Sequence, residues 1–141
     1  MIEVVCAIIS KNGKVLAAQN SPESDHPLKW EFPGGKIKPG ETGEEAIIRE
    51  IDEELCLEIL IVKKMESISF DYGFRQIHLI PFFCSISTGT LQLNEHIQAS
   101  WFNWEELQKL NFSEADMEIL NSAKNKKFLL KQMRENMDYS G

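Results

Sequence analysis

The chain has 141 residues, of which 43% are hydrophobic and 26% charged, a composition typical of a single folded domain spanning residues 1–141. No apolar run approaches the roughly 20 residues that cross a bilayer, so we expect no membrane association. Three widely spaced cysteines, Cys6, Cys56 and Cys84, form no C-x-x-C pair. They indicate a reduced, cytoplasmic protein without a disulfide framework.

The negative charge is concentrated in one segment. Asp and Glu number 22 against 15 Lys and Arg, a net charge of −7. Residues 41–58 contain eight of the acids and one base, Arg49, so this segment alone carries the whole excess. Without a basic stripe the chain is not expected to bind a nucleic acid polymer. The cluster indicates either a cation site or one strongly solvated helix.

The predicted strands fall on both sides of a central helix. In chain order they are residues 4–9, 15–18, 30–32, 58–68, 76–86 and 101–102. The first two flank the turn pair Asn12-Gly13 and are predicted to form a β-hairpin. A polar loop at residues 20–29 precedes the third strand, and the glycine pair Gly34-Gly35 follows it.

Helices are predicted from capping signals. Thr42 and Glu45 form a capping box for a helix that ends near Cys56. Its apolar side is expected to contain Ile47, Ile48, Ile51 and Leu55. Asn103 is predicted to cap a short helix, and a capping box from Ser113 to Asp116 is predicted to open a final helix that runs into the Lys-rich region 124–131. The order of elements predicts an α/β layered domain.

Three carboxylates form a stripe on the central helix. Glu50, Glu53 and Glu54 have the spacing i, i+3 and i+4 and therefore share one face. Several oxygen ligands on a rigid face suit hard cations such as Mg²⁺ or Mn²⁺. A bare E-x-x-E-E pattern is more often a solvated acidic face, so the spacing alone leaves both interpretations open.

The segment around this stripe resembles the Nudix box, G-x5-E-x7-R-E-U-x-E-E-x-G-U, in which U is a bulky aliphatic residue. Residues 35–57 match eight of its nine defined positions, from Gly35 and Glu41 through Arg49-Glu50-Ile51 and Glu53-Glu54 to Leu57. The preceding residues 30–36, Trp-Glu-Phe-Pro-Gly-Gly-Lys, resemble the MutT branch of the family. The resemblance implies the Nudix fold, a mixed β-sheet between helices (α/β/α), and hydrolysis of a nucleoside diphosphate linked to a further group.

The one departure is Cys56, where the family has glycine. A cysteine in a left-handed conformation carries roughly 1–2 kcal/mol of strain, so the geometry of the helix end is left open.

The resemblance also implies roles for individual residues. Glu50, Glu53, Glu54 and the Gly34 carbonyl would bind Mg²⁺ or Mn²⁺, and Arg49 would hold a catalytic glutamate in place. Gly35 would let the backbone approach the phosphates, with Lys36 beside it, and Glu41 would tie down the loop before the helix. Glu95, outside the box, matches a family glutamate that acts as a metal ligand or general base. Its neighbour His96 is expected to be solvated.

The sequence indicates the residues that would contact the base less clearly. Residues such as Gly89-Thr-Leu-Gln and Glu95-His96 resemble the bacterial CTP pyrophosphohydrolases. Asp116 could accept a hydrogen bond from a base amine, or could complete the Ser113 capping box. Arg75 could contact phosphate or base, or could be an exposed strand-edge arginine. Asn20 occupies a position where related enzymes usually have a substrate-binding arginine.

The expected activity is Mg²⁺-dependent conversion of a nucleoside triphosphate to a monophosphate and pyrophosphate, favouring CTP, dCTP or a modified cytidine triphosphate. Alternatives are an 8-oxo-dGTP diphosphatase, an ADP-ribose or nucleotide-sugar hydrolase, and a non-catalytic nucleotide-sensing Nudix module. A purely structural acidic helix without metal is the remaining interpretation. The protein is expected to be a monomer or a homodimer.

Overall fold

The computed structural model describes residues 1–135, so the last six residues of the predicted domain lie outside the described part of the chain. The strands are β1 (Ile2–Lys11), β2 (Lys14–Gln19), β3 (Trp30–Glu31), β4 (Gly34–Lys36), β5 (Leu57–Lys64), β6 (Ile68–Asp71), β7 (Gln76–Gly89) and β8 (Gln98–Phe102). The helices are α1 (Gly43–Leu55), α2 (Trp104–Leu107), α3 (Glu114–Asn121) and α4 (Ala123–Glu135). None of these helices is long and apolar enough to span a membrane.

The sheet is built around β1, which pairs with three other strands. It runs parallel to β7 and antiparallel to β2 and β4. β5 and β6 pair antiparallel with β7, while β3 and β8 pair with β2. Asn12 and Gly13 both have positive φ, 52° and 77°, which confirms the predicted hairpin turn between β1 and β2. The centre of β1 is buried throughout because both faces of the sheet are covered.

Alternate residues of β1 enter two different cores. Val5, Ala7 and Ile9 pack with the buried residues of α1 on one face. Cys6 and Ile8 pack on the other face with buried residues of α3 and α4. The predicted α/β class, a mixed sheet between helices, is therefore confirmed.

Helix α1 begins as the sequence predicts. Thr42 accepts a hydrogen bond from the Glu45 backbone N–H and the Glu45 side chain accepts one from Thr42, so both halves of the capping box are present. The buried side contains Ala46, Ile47, Ile51, Glu54 and Leu55. Ile48 was wrongly placed on this side: it is 42% exposed because the buried stripe is narrower than predicted.

Two predicted elements are divided in the structure. The expected strand 58–68 is split into β5 and β6 because the Asn125 side chain, only 2% exposed, binds the backbone N–H and C=O of Glu66 and takes that residue out of the sheet. The expected final helix is split into α3 and α4 at Ser122, whose ψ of 125° is extended. Its carbonyl accepts from the Lys126 N–H, so Ser122 ends one helix and begins the next.

The Ser113 capping box is also wrong. Ser113 precedes α3 but its side chain makes no capping hydrogen bond. Asp116, the expected partner, instead accepts a hydrogen bond of 2.7 Å from the Phe32 backbone N–H. The Phe32 amide would otherwise be a buried donor without a partner, so Asp116 serves this amide rather than the backbone of Ser113.

Helix α1 ends at Cys56 in the left-handed conformation, with φ 58° and ψ 32°. The Asn94 amide nitrogen donates to the Glu53 carbonyl at 2.7 Å and lies 3.4 Å from the Cys56 Sγ. Cys56 thus adopts the left-handed backbone conformation that suits the glycine of the Nudix box. Because cysteine has a Cβ, its backbone is strained in this conformation.

We expect Cys56→Gly to raise the free energy of unfolding by about 0.5–1 kcal/mol, because the relief of strain exceeds the added entropy of the unfolded chain. Urea unfolding under reducing conditions measures this change. Cys56→Ala keeps the Cβ and the strain while removing the thiol. An equal gain in both variants would contradict strain as the cause.

Candidate active site

Strand β4 approaches its neighbours closely because two of its three residues have no side chain. A Cβ at Gly34 would overlap the Val5 carbonyl oxygen of β1. A Cβ at Gly35 would lie 2.5 Å from the carboxylate carbon of Glu50 on α1. The glycine pair therefore lies in a strand, and it brings the backbone against both β1 and Glu50.

Arg49 connects the carboxylates of α1 to the loop before that helix. It donates two hydrogen bonds to Glu41, of 2.6 and 2.9 Å, which is the bidentate arrangement of a strong ion pair. Its remaining bonds run to Glu50 at 2.9 Å, Glu53 at 3.3 Å and the Lys36 carbonyl at 3.2 Å. The hydrogen bonds from Arg49 lower the pKa of Glu41 to about 2. Glu41 thus ties down this loop, as predicted.

Glu54 is the buried member of the acidic stripe. Its side chain belongs to a residue only 4% exposed, and its Oε2 has no hydrogen-bond partner. Burial, together with the nearby carboxylates of Glu95, Glu31 and Glu50, raises the pKa of Glu54 to about 10. The structure therefore brings Glu95, an exposed loop residue, electrostatically close to the stripe.

A second polar cluster, centred on Glu31, was not predicted. The Asn20 amide donates to Glu31 Oε1 at 3.1 Å, and His96 Nε2 hydrogen-bonds Glu31 Oε2 at 3.0 Å. His96 is 8% exposed, so the expectation that it is solvated was wrong. The backbone explains its burial, since Ile97 N–H donates to the Gln19 carbonyl and holds this loop against β2. The sequence feature that could have indicated this cluster is an acid between two aromatic residues in the predicted strand 30–32, Trp30-Glu31-Phe32.

Glu31 borders a cavity of about 230 Å³. Its lining includes the β4 residues Gly34, Gly35 and Lys36, the carboxylates Glu31 and Asp116, and Arg75. A larger cavity of about 310 Å³ lies between the β1–β2 turn and α4, but it contains a single carboxylate, Glu105. Within residues 1–135, the cavity of about 230 Å³ adjoins the acidic stripe, because its lining residue Gly35 lies against Glu50. This cavity is the candidate site.

Asp116 and Arg75 occupy different environments in that cavity. Asp116 is 8% exposed, and its burial, together with the charge of Glu31, raises its pKa to about 8. Arg75 is not a free strand-edge arginine, because its guanidinium is 2.8 Å from a carboxylate oxygen of Asp25. Lys36 is exposed and contributes its backbone carbonyl to Arg49.

Known proteins share this sequence and architecture. A family model of the NUDIX domain matches residues 1–122. The CTP pyrophosphohydrolase of Escherichia coli is 38% identical over 122 residues, which cover 86% of this chain and 90% of that protein. The chain belongs to the Nudix hydrolase family.

Two further similarities agree with this assignment. The solution structure of the E. coli ORF135 protein aligns with a TM-score of 0.76 and 34% identity, covering 98% of this chain and 95% of that one. An 8-oxo-dGTP diphosphatase of Proteus vulgaris is 35% identical over 72 residues, covering 51% of this chain and 64% of its own length. This Nudix hydrolase is therefore an enzyme that resembles hydrolases of nucleoside triphosphates.

The residues of the acidic stripe fit the divalent cation that Nudix hydrolases use. A buried carboxylate oxygen of Glu54 lacks a partner, and neighbouring carboxylates raise its pKa. Oxygen ligands of this kind suit Mg²⁺ or Mn²⁺. Within residues 1–135 no three His, Cys, Asp or Glu side chains already converge closely enough to ligate a metal. Glu50 and Glu53 bond to Arg49 instead, so a bound cation would compete with its guanidinium.

We expect the metal-free protein to lose stability as the pH rises. Below pH 4.5, Glu54 is largely protonated in both the folded and the unfolded chain, so it adds no pH dependence. Between pH 4.5 and about pH 10, the unfolded chain loses this proton while the folded chain keeps it, so stability falls as the pH rises. Glu54→Gln should therefore be more stable than the parent by about 1–3 kcal/mol at pH 8, with a flatter dependence on pH. Urea unfolding in EDTA at pH 5, 6.5 and 8 measures this difference.

Asp52→Asn is the matched control, because it removes an exposed carboxylate from the same helix. Added Mg²⁺ should raise the melting temperature of the parent and of the control, but not of Glu54→Gln. Parallel pH slopes for all three proteins would contradict the inference.

Proposed function

We propose that this Nudix hydrolase is a Mg²⁺-dependent nucleoside triphosphate pyrophosphohydrolase that favours CTP, dCTP or a modified cytidine triphosphate. It converts the triphosphate and water to a nucleoside monophosphate and pyrophosphate. This reaction would remove unwanted nucleotides from the nucleotide pool or balance its composition. The observation that carries the proposal is the cavity lined by the β4 residues, whose Gly35 backbone lies against Glu50 of the acidic stripe, with the carboxylates of Glu31 and Asp116 in the same lining.

The acidic stripe provides the ligands for the cation. Glu50, Glu53 and Glu54, the Gly34 carbonyl and Glu95 would hold Mg²⁺, and Mn²⁺ suits the same oxygens. A divalent cation held by these oxygens would supply neutralisation of phosphate charge and a lower pKa for the attacking water. The close approach of β4 to Glu50, which Gly35 permits, places backbone beside the carboxylates where phosphate is to bind.

The remaining catalytic roles follow from the contacts of the side chains. Arg49 holds Glu50 and Glu53 in defined positions while Glu41 holds Arg49. Glu50, Glu53 and Glu95 are the carboxylates that could take a proton from the attacking water, with attack at the β-phosphorus expected from the family resemblance. Phosphoryl transfer requires positioning and charge stabilisation more than covalent chemistry, and this arrangement supplies both.

Asp116 is proposed to contact the base. The carboxyl group lines the cavity while its Oδ2 accepts a hydrogen bond from the Phe32 amide. An ionised Asp116 accepts from the exocyclic amine of cytosine, and below about pH 8 the protonated carboxyl can also donate. The E. coli relative named CTP pyrophosphohydrolase supports a cytosine-type base. Lys36 and Arg75 are proposed to contact phosphate or base from the same lining.

An oxidised guanine is the second candidate substrate. Guanine also presents N–H donors on its pairing edge, so Asp116 alone does not separate the two bases. Relatives named 8-oxo-dGTP diphosphatase, including the Proteus vulgaris protein, support this alternative. Hydrolysis of ADP-ribose or a nucleotide sugar has less support, and a non-catalytic sensing module would be expected to have lost box glutamates that this chain keeps.

Three broader proposals accompany the activity. The binding partner is a nucleoside triphosphate rather than a nucleic acid polymer or a membrane. The three free cysteines fit a reducing cytoplasmic location. The enzyme is proposed to act as a monomer or a homodimer.

Glu53→Gln should abolish Mg²⁺-dependent pyrophosphate release while leaving the fold intact. The Glu53 side chain is half exposed, and its one side-chain hydrogen bond within residues 1–135 is the 3.3 Å contact to Arg49, so its loss should change stability by less than about 0.5 kcal/mol. Pyrophosphate release is measured with Mg²⁺ for CTP, dCTP, a modified cytidine triphosphate, 8-oxo-dGTP, ADP-ribose and a nucleotide sugar.

The adjacent exposed residue provides the control, since Asp52→Asn removes a carboxylate of α1 that faces solvent. This variant should retain activity close to that of the parent. Full turnover by Glu53→Gln would contradict the metal role, and absence of turnover on every triphosphate would favour the sugar-nucleotide or sensing alternative.

A further inference from the structure

Two separate segments meet beside the candidate site. Asp25 belongs to the loop of residues 20–29, whereas Arg75 lies in the turn between β6 and β7. Their carboxylate and guanidinium are 2.8 Å apart. The rings of His26 and Tyr72 join the same two segments, with centroids 4.7 Å apart. His26, Tyr72 and Arg75 all line the cavity, and the Asp25 side chain is 70% exposed, so the ion pair lies where the cavity opens to solvent.

The loop that carries Asp25 is held in shape by hydrogen bonds at its base. Asn20 N–H donates to the Lys29 carbonyl at 2.9 Å, and the Gln19 side chain donates to the Leu28 carbonyl at 2.9 Å. Near the tip, His26 N–H donates to the Ser24 hydroxyl at 3.1 Å. These hydrogen bonds therefore hold Asp25 in its position opposite Arg75.

Few of the residues that line this cavity are positively charged. Among the residues that line it, Lys36 and Arg75 are those with a permanent positive charge, while Glu31 and Asp116 are acids. A nucleotide that enters brings phosphate oxygens, for which a guanidinium is a strong partner. Asp25 holds this guanidinium with an exposed carboxylate, and exposed ion pairs are weak enough to be exchanged.

We propose that Asp25 competes with the phosphate of the nucleotide for Arg75, so that the Asp25–Arg75 ion pair sets the affinity of the site for its substrate. This inference rests on the proposed function insofar as a nucleotide occupies the cavity. Binding transfers Arg75 from the Asp25 carboxylate to a phosphate oxygen, and the Asp25 carboxylate is left to solvent. Asp25 is thus a residue that weakens binding, and its removal should strengthen binding.

The test measures binding without turnover. CMP and cytidine are titrated separately in EDTA, and dissociation constants are read from NMR shifts, which remain measurable for millimolar ligands. Asp25→Asn should tighten CMP binding about two- to fivefold, the range that releasing an exposed ion pair allows, and should leave cytidine unchanged. Arg75→Gln should weaken CMP binding, and in that background Asp25→Asn should have no further effect.

Glu23→Gln is the matched control, because it removes the same charge from an exposed position in the same loop. A gain for Glu23→Gln equal to that for Asp25→Asn would reduce the effect to general charge and overturn the proposal. An equal gain for cytidine, or a gain that persists with Arg75→Gln, would overturn it as well. Because no catalysis is measured, a failure here is distinct from absence of pyrophosphate release.

Discussion

Burial of one carboxylate, Glu54, among other carboxylates is the constraint on which the site depends. Glu54 is buried with an unpartnered oxygen, and Glu95, Glu31 and Glu50 all face it closely enough to raise its pKa. A solvated acidic helix would spread such charges apart, because like charges at helical spacing repel. Here the fold holds one of them out of water instead, which lowers the stability of the metal-free protein and favours binding of a positive ion.

The rest of the local structure maintains this crowding. Arg49 compensates Glu50 and Glu53, and Glu41 in turn anchors Arg49 with two short hydrogen bonds. On the other side, Gly35 leaves the space that the Glu50 carboxylate occupies. A residue with a Cβ there would displace the carboxylate without disturbing the core. The glycine is therefore a requirement of the site, whereas Gly34 is a requirement of the sheet because it faces the Val5 carbonyl.

Local patterns in the sequence predicted the elements whose signals are local. The capping box of Thr42 and the Asn12-Gly13 turn depend on neighbours within a few residues, and these predictions agree with the structure. The division of strand 58–68 was not predictable in this way, because it is imposed by Asn125 from a helix 59 residues later. The failure of the Ser113 capping box has the same origin, since Asp116 is held by the amide of Phe32 across 84 residues.

The cluster around Glu31 shows what such distant contacts contribute to the site. Asn20 and His96 come from two different loops, and each occupies one oxygen of the same carboxylate. The asparagine is a neutral donor at a position where the family resemblance leads one to expect arginine. A guanidinium there would compensate the charge of Glu31, whereas an amide orients the carboxylate without adding a charge. Burial raises the pKa of both Glu54 and Asp116, and the charge of Glu31 adds to each shift. Asn20 thus orients a carboxylate whose charge acts on both the acidic stripe and the proposed base-reading residue.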